Sequence, residues 1–266
     1  MSEADKIART KSPVTVDSLT ADLGKIGVRH GDILIVHTSL ASLGWVCGGA
    51  VAVIQALIEA VGSAGTLVMP AHSAQITNPA NWAMPPVPKE WIEPIKANMP
   101  PFDARTTPTR NMGAVAELFR IWPGAARSNH PSTSFAALGP LAEEITREHA
   151  LDDPLGEHSP LGALYRLEAK VLLIGVDFNR CTALHLAEQR RWPDRPRIRE
   201  GAPLIISGKR RWIEFETAQV MDDDEFLAVG ASAMEAGLVT KSPLGEADAR
   251  LTRTREIVDH AVTMWG

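Results

Sequence analysis

His185 and Glu188 are the two side chains of this sequence whose types and spacing best suit chemistry. They lie three residues apart within residues 182–190, whose leucine and alanine positions suit a helix, so both should lie on one helix face. An imidazole titrates close to neutral pH and can accept a proton during catalysis. A core histidine that is simply hydrogen-bonded by a neighbouring carboxylate gives the same pattern, and these residues alone leave both interpretations open.

The apolar run that precedes this pair predicts the strand that positions it. Residues 171–174 (VLLI) show no polar alternation, which predicts a strand buried on both faces, and Gly175 ends it. Residues 32–37 (DILIVH) predict a second buried strand, followed by a helix at 50–61 and a third strand at 65–70. This order forms a right-handed crossover in a parallel sheet, so the fold class is α/β. Ligands of such sheets bind beyond the carboxyl ends of the strands, where His185 would lie.

The glycine-containing loop at 44–49 (GWVCGG) precedes the helix at 50–61. It lacks the lysine of a P-loop and the glycine spacing of a dinucleotide-binding turn. Its backbone N–H groups could still bind an anion at the helix start, or the glycines could simply serve a tight turn.

The remaining chain predicts further helices and one hairpin. The helices are expected at 16–26, 111–121, 140–149, 159–168, 225–236 and 247–264, with Asp17 or Ser18 capping the first and Gly27 ending it. Residues 203–206 and 211–216 flank SGKR and predict a hairpin. Residues 71–109 contain eight prolines and no clear secondary structure, which predicts a functional loop or lid. A surface excursion packed on Trp82 and Trp91 is the alternative.

Composition and charge argue against several classes of function. The 266 residues are 45% hydrophobic and 22% charged, and we expect one domain spanning 1–266. The net charge of −5 argues against nucleic acid and favours a small cationic substrate. The polar start and the lack of a long apolar run predict a cytoplasmic protein with no membrane partner. Cys47 and Cys181 have no metal-ligand spacing, so we expect reduced thiols and no metal.

Six segments, in order along the chain, carry a resemblance to a known family: HTSLASLG at 37–44, GTLVMP at 65–70, FDARTTPTRNMGAVAELFR at 102–120, RSNHPSTSFAALG at 127–139, GEHSPLGALYRLEAKVLLIGV at 156–176 and TALHLAE at 182–188. Together they resemble the aminoglycoside 3-N-acetyltransferases, also called antibiotic N-acetyltransferases. The resemblance implies a single-domain, three-layer α/β/α sandwich with a mostly parallel sheet, unrelated to the GNAT-type acetyltransferases. It also implies acetyl transfer from acetyl-coenzyme A to an amine of an aminoglycoside, an antibiotic-resistance activity.

The resemblance implies roles for individual residues. It makes His185 the general base and Glu216 its carboxylate partner, with Glu214 as the alternative. Coenzyme A contacts are implied for residues of three loops: His37, Thr38, Ser39, Leu40, Gly44, Arg110, Met112, Gly113, Arg127 and Ser128. The cationic acceptor is expected to meet carboxylates: Asp177, Glu188, Asp222, Asp223 and Asp224. Without the resemblance, the acidic run at 222–225 would be taken as a solvated helix start.

Acyl transfer from a thioester needs a neutral amine, so a base must remove the proton of an alkylammonium group. The carboxylate of Glu216 would fix the imidazole tautomer. Backbone N–H groups after His37, with the hydroxyl of Thr182 or Ser39, would bind the oxyanion.

Three alternatives to this mechanism remain open. Cys181 could carry the acyl group covalently beside His185. His185 and Glu188 could hold a metal, although the helical di-iron pattern has the reverse order. A protein that binds coenzyme A or a cationic ligand without chemistry is the third. We expect a monomer or a homodimer.

Overall fold

The chain folds around a seven-stranded mixed sheet, as seen in a computed structural model that describes residues 3–220 and 224–266. The sheet strands are β1 (Ile33–Thr38), β2 (Thr66–Pro70), β3 (Ala126–Arg127), β4 (Phe135–Leu138), β5 (Lys170–Ile174), β8 (Thr240–Leu244) and β9 (Ala247–Arg253). A separate hairpin is formed by β6 (Arg197–Ile206) and β7 (Lys209–Ala218).

The helices are α1 (Glu3–Arg9), α2 (Val16–Ile26), α3 (Gly49–Val61), α4 (Ile92–Asn98), α5 (Gly113–Phe119), α6 (Ala142–Arg147), α7 (Pro160–Arg166), α8 (Leu184–Arg191), α9 (Asp224–Glu235) and α10 (Thr254–Met264). In the part of the chain that the structure describes, none of them is both long and apolar enough to cross a bilayer.

The strand order β3-β4-β2-β1-β5-β9-β8 places β1 at the centre of the sheet, where it pairs in parallel with β2 and β5. Only β4 and β9 of this sheet run in the opposite direction, and each pairs antiparallel with both of its neighbours. Five of the seven strands therefore share one direction, and the predicted α/β class with a mostly parallel sheet is confirmed.

The central strands are buried on both faces because their side chains are apolar without alternation. Leu34 and Val36 of β1 face a core that α2, α3 and α5 complete. Ile35 faces a second core, which α6 to α10 complete. The three layers predicted from the resemblance are thus helices, sheet and helices.

Helix α2 has the predicted bounds but a different cap. The Oγ1 atom of Thr15 accepts from the N–H of Ser18 at 3.2 Å, and the Oγ of Ser18 accepts from the N–H of Thr15 at 2.9 Å. This reciprocal capping box makes Thr15 the N-cap, so the prediction of Asp17 or Ser18 is wrong. Gly27 ends the helix in a left-handed conformation, as predicted.

The prediction of one helix over 247–264 is wrong in its first part. Residues 247–253 form β9, in which Ala247, Ala249 and Leu251 are buried at every second position. A period of two favours a strand, and α10 begins only at Thr254. The neighbouring β8 was not predicted, because it contains Pro243, and proline argues against a strand. Pro243 is tolerated here because β8 lies at the edge of the sheet.

Residues 71–109 contain α4 and two short 3₁₀ turns, contrary to the prediction of no secondary structure. Pro94 lies in the first turn of α4, where its missing N–H loses no helical hydrogen bond. The segment packs on the β6–β7 hairpin, since Met99 and Phe102 share a small core with Ala202. The segment and the hairpin therefore form one unit beside the sheet, and its action as a lid stays a prediction.

The ring of Phe178, just after β5, packs against Gly230 of α9, which has no side chain. This packing can be tested. An added Cβ would lie 2.1 Å from the Phe178 ring, far inside van der Waals contact. Gly230→Ala should therefore lower the free energy of unfolding by about 1–3 kcal/mol, measured by chemical denaturation. Gly24→Ala in α2 is the matched control, because nothing lies within 4 Å of its Cβ and the variant should gain up to ~1 kcal/mol. Equal stability of the two variants would contradict the packing described.

Candidate active site

Three histidines meet at the carboxyl ends of the parallel strands. His37 is the second-to-last residue of β1, His72 follows β2, and His185 lies in α8 beyond β5. Burial, and then the charge of the nearby His185, lower the pKa of His37 to about 3. Burial also lowers the pKa of His72 to about 3, with His185 as the next largest cause. His37 and His72 are therefore neutral at physiological pH and can serve as hydrogen-bonding groups rather than as cations.

Several polar atoms of this edge are buried without a hydrogen-bond partner among the described residues. They include the Nε2 atoms of His37 and His72 and the Oγ1 atom of Thr38. Buried polar groups in folded proteins are nearly always hydrogen-bonded. Their clustering at the edge where α/β sheets bind ligands marks this edge as the candidate site.

His185 and Glu188 share one face of α8, as their spacing predicts. The Nδ1 atom of His185 lies 2.7 Å from the Oε2 atom of Glu188, and the Glu188 side chain is 1% exposed. A carboxylate accepts in such a bond, which puts the imidazole proton on Nδ1 and the basic lone pair on Nε2. Phe226 packs edge-on against the imidazole, with ring centroids 5.0 Å apart. The site therefore holds an imidazole of fixed tautomer and fixed orientation.

The structure corrects the expected roles of the glutamates. Glu216 lies exposed on β7 and is not the hydrogen-bonded partner of His185. Glu214, also exposed, pairs with Arg199 across the hairpin. The alternation that puts both glutamates on one face of β7 turns that face to solvent. Glu188, expected to contact the acceptor, is instead buried beside His185 and occupies the place expected of Glu216.

The expected coenzyme A loops do lie side by side. A Cβ added to Gly113 would lie 3.8 Å from the carbonyl oxygen of Thr38, so the start of α5 adjoins the loop after β1. Leu40 and Met112 both pack on the core beneath this junction. Arg110 is exposed there. The backbone N–H groups after His37 were expected to bind the oxyanion. The N–H of Ser39 is not available for this, because it donates to the carbonyl of Ile174 at 2.9 Å.

Arg127 and Ser128 are structural rather than cofactor-facing. All five N–H groups of Arg127 have partners within the protein: Ser134 Oγ, the carbonyls of Ala104, Thr107 and Ala71, and Ser73 Oγ. The Oγ of Ser128 donates to Nδ1 of His149 and accepts from the N–H of Phe135. A guanidinium with no remaining donor cannot grip a phosphate, which corrects the expected role of Arg127.

The other expected residues are placed as follows. Gly44, at φ 88°, borders a cavity of about 810 Å³ that Lys6 and Lys11 also line. Asp177 caps the turn after β5 and forms a 3.2 Å ion pair with Arg250, so it is not a free carboxylate for an acceptor. Thr182 stands at the start of α8 and its carbonyl accepts from the N–H of His185. Asp222 and Asp223 lie outside the described residues.

Two alternatives can now be weighed. Burial raises the pKa of the Cys181 thiol to about 12, and the residue is 1% exposed, so it is poorly suited to carry an acyl group. Across residues 3–220 and 224–266, no three histidine, cysteine or acidic side chains are grouped in a way that could hold a metal ion.

His72 and Arg195 belong to the site but were missed by sequence reasoning. His72 follows the apolar strand GTLVMP at a distance of two residues, which resembles the position of His37 at the end of DILIVH. That repeated pattern was a usable signal. The sequence contains no comparable signal for Arg195, because its ion pair with Glu188 depends on how the chain turns after α8.

A histidine held by a carboxylate beside neutral histidines is an arrangement that can accept or donate a proton. Comparisons with known proteins identify the family. The family model described as aminoglycoside 3-N-acetyltransferase matches residues 35–265. The SPbeta prophage-derived aminoglycoside N(3')-acetyltransferase-like protein YokD of Bacillus subtilis (strain 168) is 44% identical over 96% of this chain and 93% of its own length. The chain belongs to the aminoglycoside 3-N-acetyltransferase family and is an acyltransferase.

Solved structures agree with this assignment. The crystal structure of the YokD protein from Bacillus subtilis matches with a TM-score of 0.95 at 43% identity, covering 98% of this chain and 96% of that chain. AAC-IIIb in a binary complex with coenzyme A matches at 0.83 and 30% identity, covering 95% and 96%. AAC-VIa bound to sisomicin matches at 0.84 and 28% identity, covering 95% and 97%.

The structural role of Arg127 leads to a prediction. Arg127→Ala should lower the free energy of unfolding by roughly 2–5 kcal/mol, because several buried acceptors lose their donor. Arg110→Ala removes an exposed side chain at the same edge and should stay within about 0.5 kcal/mol of the parent protein. Urea denaturation of both variants measures this. Weaker binding of coenzyme A by Arg127→Ala with unchanged stability would instead restore its expected phosphate role.

Proposed function

We propose that the protein transfers the acetyl group of acetyl-coenzyme A directly to the 3-amino group of a 2-deoxystreptamine aminoglycoside, with His185 as general base. The single observation that carries the proposal is the bond between Nδ1 of His185 and the buried Glu188 at the carboxyl edge of the sheet. Family membership supports the reaction class. Because acetyl-coenzyme A is an intracellular metabolite, the proposed reaction takes place in the cytoplasm.

The proposed chemistry uses the lone pair on Nε2 of His185. The acceptor amine attacks the thioester carbonyl while Nε2 takes the proton that the amine must lose. A tetrahedral intermediate forms and collapses, the bond to sulfur breaks, and the departing coenzyme A thiolate takes the proton back from Nε2 of His185. Glu188 stabilises the imidazolium that exists between these steps. A general base of this kind contributes roughly 10²–10⁴-fold to the rate.

The neutral histidines have a complementary role in this proposal. His37 and His72 stay uncharged because burial disfavours their protonated forms. Each can offer an N–H donor to a carbonyl or a developing oxyanion, as can the buried hydroxyl of Thr38. Neutral donors suit this task because a second imidazolium would repel both His185 after proton uptake and a cationic acceptor.

Acetyl-coenzyme A is the proposed donor and lies across the loops after β1 and before α5. The relative AAC-IIIb, whose structure contains coenzyme A, supports this choice. The pantetheine arm would follow Leu40, Met112 and Gly113, where the two loops adjoin. Arg110 is the exposed cation that we propose for a phosphate, since Arg127 has no donor left.

The acceptor is proposed to be an aminoglycoside. The relative AAC-VIa, whose structure contains sisomicin, supports a polyamine of this type. The net charge of −5 also favours a cationic acceptor over an anionic one. The unit formed by residues 71–109 and the β6–β7 hairpin is the proposed wall on the acceptor side. Another small amine is the alternative acceptor.

The proposal predicts thiol release from acetyl-coenzyme A when gentamicin-, kanamycin- or apramycin-type compounds are added. Free thiol measured with a chromogenic disulfide reports the turnover, and mass spectrometry of the product locates the acetyl group on the 3-amino nitrogen. The KM for the antibiotic should rise with added salt, because salt screens the attraction between a polycationic acceptor and a protein of net charge −5. A susceptible host that expresses the protein should gain resistance. Thiol release with a small monoamine alone would leave a general amine acetyltransferase, and the absence of thiol release with every amine would leave a coenzyme A-binding protein.

The proposed base predicts the effect of replacing His185. His185→Gln should lower kcat by at least ~10²-fold, since the amine proton then has no base to accept it. Coenzyme A binding measured by calorimetry should stay close to that of the parent protein. His158→Gln is the control, because this exposed histidine pairs with Glu148 away from the site. A His185→Gln variant that keeps more than about a tenth of kcat would rule out the assignment.

A further inference from the structure

Arg195 is a buried cation beside the histidine–carboxylate pair. Its NH1 atom lies 3.6 Å from the Oε2 atom of Glu188, and the two side chains are 5% and 1% exposed. This is the same oxygen that accepts from His185 at 2.7 Å. Among the described residues, none of the guanidinium nitrogens of Arg195 has a hydrogen-bond partner, and Glu188 is its one ion-pair partner.

The backbone after α8 holds Arg195 in this position. The N–H of Trp192 donates to the carbonyl of Glu188 at 3.0 Å, and the N–H of Arg195 donates to the carbonyl of Trp192 at 3.3 Å. Pro193 and Pro196 flank the turn and limit its conformations. A cavity of about 690 Å³ adjoins the turn.

A buried carboxylate without a cation tends to take up a proton. If Glu188 did so, it could no longer accept the hydrogen bond from Nδ1 or stabilise an imidazolium at His185. A guanidinium on the same oxygen favours the ionised carboxylate. It also lies within about 6 Å of the imidazole, where a positive charge disfavours the imidazolium. His185 would thus take the amine proton and still release it readily.

The groups that face His185 come from several elements. Glu188 lies on the same helix, His37 comes from β1, His72 from the loop after β2, and Phe226 from α9. Within the described ranges, Arg195 is the one fixed cation that shares the oxygen of Glu188. His37 and His72 stay neutral over the working pH range. A substitution of Arg195 therefore removes the positive charge that acts on the pair of His185 and Glu188.

We propose that Arg195 is a positioning residue for acyl transfer, which keeps Glu188 ionised and oriented and sets how tightly His185 holds its proton. It acts through Glu188 and does not touch the substrates. The inference rests on the proposed function of His185 as the general base.

The test compares Arg195→Met, Arg195→Lys and a control, Arg191→Met. Arg191 lines the same cavity, but its guanidinium donates to backbone oxygens of Trp265 and Gly266. Arg195→Met should lower kcat roughly tenfold or more, because a protonated Glu188 no longer fixes a base worth ~10²–10⁴-fold, while both KM values stay within about twofold. The acid limb of the kcat/KM profile should move to higher pH by about one to two units, as expected for loss of a unit charge at that distance.

Arg195→Lys keeps a charge and should recover part of kcat and return the acid limb toward that of the parent protein. Arg191→Met should leave the acid limb in place, although it can lower the melting temperature. The proposal is overturned if Arg195→Met leaves the pH profile unchanged. It is also overturned if Arg191→Met shifts the profile equally.

Removing one member of a buried ion pair can prevent folding, so a second variant is included. The double variant Arg195→Met with Glu188→Gln removes both charges and should regain thermal stability without regaining kcat. Recovery of parental kcat by the double variant would show that the pair serves stability alone.

Nuclear magnetic resonance of ¹⁵N-histidine-labelled protein separates this inference from the proposed function. The hydrogen-bonded pair of His185 and Glu188 should take up its proton at higher pH in Arg195→Met than in the parent protein, as seen in the ring nitrogen shifts of His185 with no substrate present. Absence of thiol release from the parent protein with every amine would refute the proposed function, whereas an unchanged His185 titration would refute the role of Arg195.

Discussion

The parallel pairing of β1 with β5 is the constraint on which the site depends. His37 stands opposite Leu173 and Thr38 opposite Ile174, so the two strands end at the same level. The parallel pairing of β1 with β2 brings the chain of His72 to the same edge. Because both faces of β1 are buried, a slip of one residue would turn His37 from the α6–α10 side into the opposite core. The hydrophobic cores therefore fix the positions of the polar groups.

The two kinds of polar group at this edge differ in how they are accommodated in the protein interior. Single imidazoles such as His37 and His72 respond to a low-dielectric environment by staying neutral. The buried Glu188 instead has a cation and an imidazole on one carboxylate oxygen. A buried charge of this kind is costly without a partner, which explains why Arg195 lies where it does. The site thus combines neutral donors with one paired charge.

Much of the fold follows from local sequence patterns, whereas part of the site depends on long-range contacts. The apolar runs of β1 and β5 and the spacing of His185 and Glu188 are local, and each led to the observed strand or helix face. The segment ADARLTR has a period of two over only seven residues, which is too short to distinguish a strand from a helix by pattern alone. Its burial as β9 depends on pairing with β5, which a local pattern does not contain.

The errors at the site have the same origin. Glu216 was assigned to His185 through the resemblance, but which carboxylate meets the imidazole depends on where the hairpin packs. The expected contact of Arg127 with coenzyme A also came from the resemblance. Its acceptors come from three separate segments, at 71–73, 104–107 and 134, and no local pattern reveals that they converge.

The buried histidines also limit the acidity that the folded protein tolerates. Burial lowers the pKa of His37 and His72 to about 3 and that of His130 to about 4, and it lowers the pKa of His149 well below its usual value. In the unfolded chain each imidazole titrates near 6.5, so below that pH the unfolded state binds more protons than the fold does. The free energy of unfolding therefore falls as the pH drops from about 6.5 toward 3, and the loss grows with every such histidine. The imidazoles of the candidate site, together with the other buried histidines, thus make the whole protein acid-labile.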